Sequence, residues 1–267
     1  MKKFLLIIIL ILFILLIKIT INKYLEINKE YLFYKNTKVY VINLDHRKDR
    51  LELFKNTYNF HNIDYEVISA IDGNKLDINR LYKEQIVGDY VMNTMNKKIR
   101  DYHYEINTMG AIGCYLSHIE VWKKIKEDKN CNYGIIFEDD VIINNNITDK
   151  VIYEYINDLP NDWDILLLNK SNIRKGDEKN NLVKVSIFLR THSYIINKNS
   201  INKILNEIMP INQHIDFKLS CLATLGKINI YLYNNKDKLY KQAITKSNIH
   251  NPEDRMKGRS WELNCNI

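Results

Sequence analysis

Apolar and polar positions follow two alternating periods along most of the chain, which predicts strands interleaved with helices. Short apolar runs bounded by polar or turn residues are typical of buried strands, and apolar residues three and four positions apart are typical of helices. The strands are predicted at residues 39–44, 65–71, 134–143, 163–168, 183–189, 193–196 and 228–233. The helices are predicted at residues 49–58, 113–126, 149–159 and 200–208.

The order of these elements predicts an α/β fold, with one sheet layered by helices. Residues 183–189 and 193–196 follow each other closely and are expected to pair. Residues 74–107 show no clear period, and a short helix with a long loop is expected there. Because no repeat or low-complexity linker interrupts the chain, residues 39–267 are predicted to form a single domain.

The N-terminus has a different pattern, since residues 4–17 are fourteen consecutive apolar residues. This length lies between a signal-peptide core and a span of about 20 residues, and snorkelling of Lys18 would extend the span to Ile21. No small-residue cleavage site follows, so an uncleaved anchor over residues 1–21 and a polar stem over residues 22–38 are predicted. A removed signal peptide is the alternative. The two lysines before the run favour a single-pass type II orientation, whereas Lys18 and Lys23 count against it.

Charge and cysteine content narrow the function classes. The net charge of +7 suits an anionic ligand or a membrane surface. The basic residues are scattered, and the sequence shows no dense basic run, zinc-finger spacing or aromatic RNA-binding signature, so nucleic-acid binding is not expected. The cysteines lack a CxxC motif and are expected to be buried free thiols, with bridges in an oxidising lumen as the alternative. They are Cys114, Cys131, Cys221 and Cys265.

Candidate chemistry begins with the stretch "GIIFEDDVII", residues 134–143, in which three carboxylates interrupt an apolar strand. If the chain stays extended, Glu138 and Asp140 point to one face of the sheet and Asp139 to the other. Buried ionised carboxylates need compensation, either from a divalent cation or from basic side chains. Mg²⁺ and Mn²⁺ prefer such oxygen ligands, so one interpretation of the triplet is a metal site. The alternative is that the strand ends here and its carboxylates emerge into solvent.

Several segments, in their order and spacing, resemble glycosyltransferase family 25, the group of lipooligosaccharide β-galactosyltransferases and procollagen galactosyltransferases. The resemblance covers residues 39–250 and implies a GT-A-like fold, a Rossmann-type mixed sheet flanked by helices. It also implies a UDP-sugar donor and inverting transfer of a hexose, galactose or glucose, to a glycan or glycoprotein acceptor. The segments are "VINLDHRKDR", "GAIGCYLSHIEVW", "IIFEDDVII", "DWDILLLN", "RTHSYIINKNSINKIL", "INQHID" and "QAITKSNI".

The resemblance also assigns roles to the acidic triplet, which would stand at the DxD position of that fold. Asp140 is expected to ligate Mn²⁺ or Mg²⁺, and Glu138 or Asp139 to contact the ribose or a metal-bound water. Glu138 is thus a candidate both for the metal and for the nucleotide. The cation would stabilise the departing diphosphate as a Lewis acid.

The other candidate donor-binding groups lie near the carboxyl ends of the first strands, where ligands bind in parallel α/β sheets. Arg47 and Arg50 follow the NL-x-x-R-x-x-R pattern of the family, although a basic turn pairing with Asp45 or Asp49 is the alternative. The remaining donor-site candidates are Asn43, Asp72, Ser117 and His118.

An inverting transfer needs a general base for the acceptor hydroxyl, and Asp216 in "HID" is the candidate. A third metal or diphosphate contact is expected from Ser247, Asn248 and His250, with His250 as the candidate metal ligand. The family often has Ser-Asp where this chain has Ser247-Asn248, and an amide cannot supply the carboxylate.

Two other functions are open from sequence alone. One is a catalytically inactive carbohydrate-binding or adhesion module, which intact retention of the acidic triplet argues against. The other is a nucleotide- or phosphate-transfer enzyme that uses the same acidic strand. The compartment is open as well, between a Golgi or ER lumen and a viral or bacterial membrane.

Overall fold

The computed structural model describes residues 2–168, 174–179, 182–233, 240–242, 255–256 and 263–267, and every structural statement concerns these residues. The chain divides into two compact units, Met1–Asn36 and Thr37–Ile267. The first is a single helix, α1 (Lys2–Lys35), so helical structure continues through the predicted stem. Among the described residues it is the one helix long and apolar enough to cross a membrane, a test that a signal sequence also passes. The membrane anchor therefore stays a prediction.

The second unit combines one large sheet with helices on both faces. Its helices are α2 (Lys48–Thr57), α3 (Ile78–Lys83), α4 (Asp89–Thr94), α5 (Met109–Glu127), α6 (Asp149–Asn157), α7 (Ile201–Leu205) and α8 (Ile215–Thr224). Its strands are β1 (Thr37–Asn43), β2 (Tyr65–Ser69), β3 (Ile99–Arg100), β4 (Tyr133–Glu138), β5 (Val141–Ile143), β6 (Ile165–Leu167), β7 (Arg174–Lys179), β8 (Leu182–Ile187), β9 (Ser193–Asn197), β10 (Ile230–Tyr233), β11 (Tyr240–Gln242) and β12 (Arg255–Met256). Two 3-10 turns lie at Gly73–Lys75 and Lys198–Ser200.

Eight of the described strands form a mixed sheet in the order β2-β1-β4-β9-β6-β10-β8-β7, and the other four form the two-stranded sheets β5–β11 and β3–β12. In the large sheet the pairs β1–β2, β1–β4 and β6–β10 are parallel, and the other neighbours are antiparallel. This confirms the predicted α/β class with a mixed sheet flanked by helices. The parallel arrangement brings the carboxyl ends of β1, β2 and β4 to one edge, where the candidate residues were expected.

Both faces of the sheet are covered by apolar side chains. Helix α5 is capped by the side chain of Thr108, which accepts a hydrogen bond from the N–H of Ala111. Its apolar stripe packs on one face, and α2 packs Phe54 against Phe137 on the other, with ring centroids 5.6 Å apart. The buried stripe of α5 consists of Ile112, Tyr115, Ile119, Trp122 and Ile125.

Three sequence predictions about local structure are wrong. The acidic strand is not continuous: β4 ends at Glu138, Asp139 and Asp140 form a turn, and β5 pairs with β11 in another sheet. Strands β8 and β9 do not pair with each other, because the intervening residues, with Arg190 at a φ of 71°, carry the chain three positions along the sheet. Residues 74–107 hold α3, α4 and β3 instead of one helix and a loop.

The cysteine prediction is wrong for two of the four residues. Cys221 in α8 and Cys265 form a disulfide, with Cα atoms 5.2 Å apart. Cys131 is a buried free thiol, as expected, and Cys114 is a half-buried free thiol. Sequence spacing could not reveal the bridge, because 44 positions separate its two cysteines.

Candidate active site

The acidic triplet lies where β4 leaves the sheet, at the edge shared with the carboxyl end of β1. The N–H of Glu138 donates to the carbonyl of His192 at 2.9 Å, and the N–H of Asp139 donates to the carbonyl of Ile42 at 3.1 Å. The first bond joins the end of β4 to the segment before β9, and the second joins the turn to β1. The turn therefore replaces the strand alternation that the sequence predicted, and it lets all three carboxylates gather near one edge.

Arg50 supplies positive charge to this turn. It follows β1 in helix α2, and its Nη1 lies 3.1 Å from Asp139 Oδ1 and 3.8 Å from Asp140 Oδ2. All three side chains are at most 10% exposed. The pKa of Asp139 is raised to about 6 because burial, with Asp140 and Glu138 nearby, outweighs the opposing effect of Arg50.

The other arginine of the motif behaves differently. Arg47 binds the exposed Asp49 through two hydrogen bonds of 2.9 and 2.8 Å, which is the alternative that the sequence left open. This interaction lowers the pKa of Asp49 to about 2. Asp139 and Asp140 also raise the pKa of Arg47, so its guanidinium lies within electrostatic reach of the turn.

A buried hydrogen-bond chain approaches Glu138 from α5 and β9. Trp122 Nε1 donates to the hydroxyl of Tyr194 at 2.8 Å, and this hydroxyl lies 2.9 Å from His118 Nδ1. The other ring nitrogen, His118 Nε2, is 3.4 Å from Glu138 Oε1, which also accepts a hydrogen bond from Thr191 at 3.3 Å. Burial alone would raise the pKa of Glu138, but its contacts with His118 outweigh this and lower it.

A pocket joins the triplet to the N-terminal part of α5. It encloses ≈ 630 Å³ of empty space, part of it open to solvent. Six of the predicted donor-site residues line it, so the structure brings together groups from four different segments of the chain. They are Arg50, Asp72, Ser117, His118, Glu138 and Asp139.

Two glycines allow the pocket wall to form. A Cβ on Gly113 would lie 2.4 Å from the carbonyl oxygen of Ile71, and a Cβ on Gly73 would lie 2.2 Å from that of Met109. Ser117 reinforces the contact, because its hydroxyl accepts from the N–H of Ile71 at 2.8 Å and donates to the Gly113 carbonyl at 2.7 Å. Its hydroxyl thus joins the loop to α5.

Four described candidates, Asn43, Arg47, Asp140 and Asp216, are not among the residues that line this pocket. Asn43 is buried at the end of β1, and its Nδ2 donates to the carbonyl of Leu44 at 2.9 Å. Asp216 lies in the first turn of α8 and accepts the N–H groups of Arg190 and Phe217 at 2.8 and 2.9 Å. Burial raises its pKa above the ordinary value of 3.8. Ser247, Asn248 and His250, including the candidate metal ligand His250, lie outside the described residues.

Sequence reasoning missed four residues that contact or surround Glu138. Cys114 lines the pocket, and Thr191 and Tyr194 belong to the hydrogen-bond network. His192 is buried nearby, and burial lowers its pKa to about 4. The spacing Cys114-x-x-x-His118 was a visible signal, since residues four apart share a helix face. The segment 191–194 carried no such signal, because its contacts depend on sheet order.

The chain is similar to several known proteins. The model of "Glycosyltransferase family 25 (LPS biosynthesis protein)" matches residues 36–219, a range that holds the described candidates. Procollagen galactosyltransferase 1-A of Xenopus laevis is 27% identical over 191 residues, and procollagen galactosyltransferase 2 of Homo sapiens is 26% identical over 191 residues. Each alignment covers 66% of this chain but only 30% and 29% of the relative. The solved structure of A197 from STIV aligns with a TM-score of 0.43 and 11% identity, covering 81% of this chain and 99% of that one.

Proposed function

Since this chain belongs to glycosyltransferase family 25, we propose that it transfers a hexose, galactose or glucose, from a UDP-sugar to a hydroxyl of a glycan or glycoprotein. The reaction we propose is metal-dependent and inverts the anomeric carbon. The observation that carries the proposal is the clustering of Arg50, His118, Glu138 and Asp139 around one pocket at the carboxyl end of parallel strands, with Asp140 next in the same turn and 3.8 Å from Arg50. That edge is where α/β sheets bind their ligands.

The donor set suits a hard divalent cation. Glu138, Asp139 and Asp140 supply carboxylate oxygens, the ligands that Mn²⁺ and Mg²⁺ prefer. Of the three, Asp140 and Glu138 would hold the ion in our proposal, and Asp139 would stay with Arg50. When bound, the ion supplies charge stabilisation to the departing diphosphate.

The chain's own residues have distinct roles in this proposal. Arg50 and Arg47 provide positive charge near the diphosphate, and guanidinium groups bind phosphate oxygens well. Asp72 and Ser117 line the nucleotide side of the pocket, and Asn43 lies between Ile42 and Leu44, which also line it. His118 holds Glu138 in place through the 3.4 Å contact.

Asp216 is the proposed general base. A carboxylate has about four lone-pair positions, so the two N–H groups that it accepts leave room for an acceptor hydroxyl. These two bonds also fix its orientation. Its raised pKa moves it toward the working pH, which favours proton abstraction.

We further propose that α1 anchors the protein in a membrane as a single-pass type II helix. The Cys221–Cys265 disulfide supports placing the larger unit in an oxidising lumen, because such bonds persist there and are rare in a reducing cytosol. This includes a Golgi or ER lumen, and it disfavours a cytosolic position at a bacterial membrane.

The test uses the full chain in detergent with a panel of UDP-sugars, with and without Mn²⁺, and measures UDP release and UDP binding. We expect metal-dependent release from one sugar. Asp140→Ala should abolish release while the melting curve stays cooperative, whereas Asp64→Ala, an exposed carboxylate at the start of β2, should behave as wild type. Absence of both UDP release and metal-dependent UDP binding would refute the proposal and favour a binding module.

A further inference from the structure

The half-buried thiol of Cys114 lies one helical turn before His118 and faces the same pocket. Its Sγ, a ring nitrogen of His118 and a carboxylate oxygen of Glu138 all lie within 4.8 Å of one another. We propose that Cys114, His118 and Glu138 form a binding site for a cation of the Zn²⁺ class. This site shares Glu138 with the proposed hard-cation site but takes its other two ligands from α5, and it does not depend on the proposed transfer.

The three donors are those that zinc uses in proteins. Thiolate sulfur, imidazole nitrogen and carboxylate oxygen bind at roughly 2.0–2.3 Å, which separates tetrahedral ligand atoms by about 3.3–3.8 Å. The distance of 3.4 Å between His118 Nε2 and Glu138 Oε1 already matches this spacing. Three protein ligands leave a fourth position for water or an exogenous group.

Local structure presents these donors together. Cys114 and His118 are four residues apart in α5, so their side chains project from one helix face. Glu138 is the last residue of β4 and reaches the same point from the sheet. Two ligands on a helix at this spacing, with a third from another element, is a recurring plan for zinc sites.

The residues behind the site are suited to supporting a metal ligand. Binding through His118 Nε2 places the ring proton on Nδ1, which lies 2.9 Å from the hydroxyl oxygen of Tyr194. This oxygen has two acceptor positions, so it can accept from His118 while it also accepts from Trp122. Thr191 holds Glu138 in the same way at 3.3 Å. Such outer contacts fix ligand orientation and raise metal affinity.

Charge and access also favour a cation here. The site opens into the pocket, which gives it a route from solvent. The carboxylates of Glu138, Asp216, Asp140 and Asp139 all act electrostatically on Cys114. Their negative potential attracts any dication, and the thiolate shifts the preference from Mn²⁺ towards Zn²⁺ and Co²⁺.

Sharing Glu138 between two cations has a functional consequence. A Zn²⁺ ion on Cys114, His118 and Glu138 withdraws this carboxylate from the oxygen-ligand site. If the chain transfers sugar with Mn²⁺, low Zn²⁺ concentrations should inhibit it. Replacing Cys114 with serine should relieve that inhibition.

The experiment titrates metal-free full-length protein in detergent with Co²⁺, whose bond to a thiolate gives an intense charge-transfer absorption. We expect this absorption in wild type and its loss on adding Zn²⁺. Cys114→Ser should lack it, whereas the matched control Cys131→Ser should retain it. Cys131 is the other free thiol; its S–H donates to the carbonyl of Tyr133 at 3.3 Å, away from the pocket lining.

Two further measurements keep the inference testable if Cys114→Ser folds poorly. Tyr194→Phe should keep the absorption but weaken Co²⁺ binding by about 10–100-fold, the usual effect of removing an outer contact. In wild type, Zn²⁺ should protect Cys114 from alkylation, mapped by mass spectrometry. The inference would be overturned if the absorption persists in Cys114→Ser, or if Co²⁺ binds to wild type without producing the absorption. Neither outcome bears on Mn²⁺-dependent UDP release, which is measured separately.

Discussion

Removing the charge of Arg50 tests how the fold holds its acidic turn. Its guanidinium lies 3.1 Å from Asp139 and 3.8 Å from Asp140, and all three side chains are nearly buried. Arg50→Met keeps much of the side-chain volume and removes the ion pairs. Arg80→Met is the matched control, since Arg80 pairs with Glu84 at 2.8 Å and both side chains are exposed.

The expected magnitudes differ clearly between the two variants. Breaking a buried ion pair by removing one partner costs about 3–5 kcal/mol, because a charge is left in a low-dielectric site. An exposed pair such as Arg80–Glu84 contributes at most about 1 kcal/mol. For a domain of this size each kcal/mol moves the melting temperature by about 2–4 °C, so Arg50→Met should lose on the order of 10 °C.

The pH dependence gives a second, independent signature. The pKa of Asp139 is raised to about 6 in the fold from an ordinary 3.8. A raised carboxyl pKa stabilises the folded state at low pH, and this contribution is lost as the pH rises through about 6. At pH 5 Asp139 is largely protonated and gains little from Arg50. The cost of Arg50→Met should therefore be smaller at pH 5 than above about pH 7, with the Asp140 contact remaining at both.

The assay is thermal or urea unfolding of the full chain in detergent at pH 5 and pH 7.5. At pH 7.5, Mn²⁺ should restore part of the stability lost in Arg50→Met, because a dication compensates the same carboxylates. Equal losses for Arg50→Met and Arg80→Met, or a loss that does not change with pH, would refute this account of the turn.

Three further predictions concern other parts of the site. Asp216→Asn should slow transfer with little change in UDP affinity. In wild type, kcat/KM should fall on the acid side at a pH above the ordinary carboxyl pKa, because the pKa of Asp216 is raised, and Asp216→Asn should remove this fall. Gly113→Ala should lower stability by about 1–3 kcal/mol in urea unfolding, since its methyl group meets the Ile71 carbonyl. Reducing Cys221–Cys265, which spans 44 positions, should cost roughly 4 kcal/mol of unfolding free energy, and Cys221→Ser should make the protein insensitive to reductant.

The regular elements were predictable because their own residues determine them. Strand β1 is a short apolar run, and α5 carries apolar side chains at helical spacing, so local pattern and burial agree. The end of β4 was not predictable, since apolar residues continue on both sides of the triplet. Its second half pairs with Tyr240–Gln242, about a hundred residues later, and no local period encodes such a partner.

The candidate site shows the same limit. The two arginines of the NL-x-x-R-x-x-R pattern look equivalent in sequence, yet Arg50 reaches the acidic turn and Arg47 binds Asp49. The two arginines contact different carboxylates because of the direction in which α2 leaves β1, which the sequence pattern does not show. Tyr194 was missed for a related reason, because its contact with His118 depends on β9 lying beside β4.

The protein partners of the triplet change what a cation would contribute. The sequence left open whether a dication or basic side chains make three clustered carboxylates tolerable. In the fold, Arg50 partly compensates Asp139 and Asp140, and His118 with Thr191 contacts Glu138. We therefore expect the chain to fold without a cation, so that the binding energy of a cation serves the nucleotide and the charge that develops during reaction. Stability and activity should therefore separate: losing Arg50 affects both, whereas removing the metal lowers activity far more than stability.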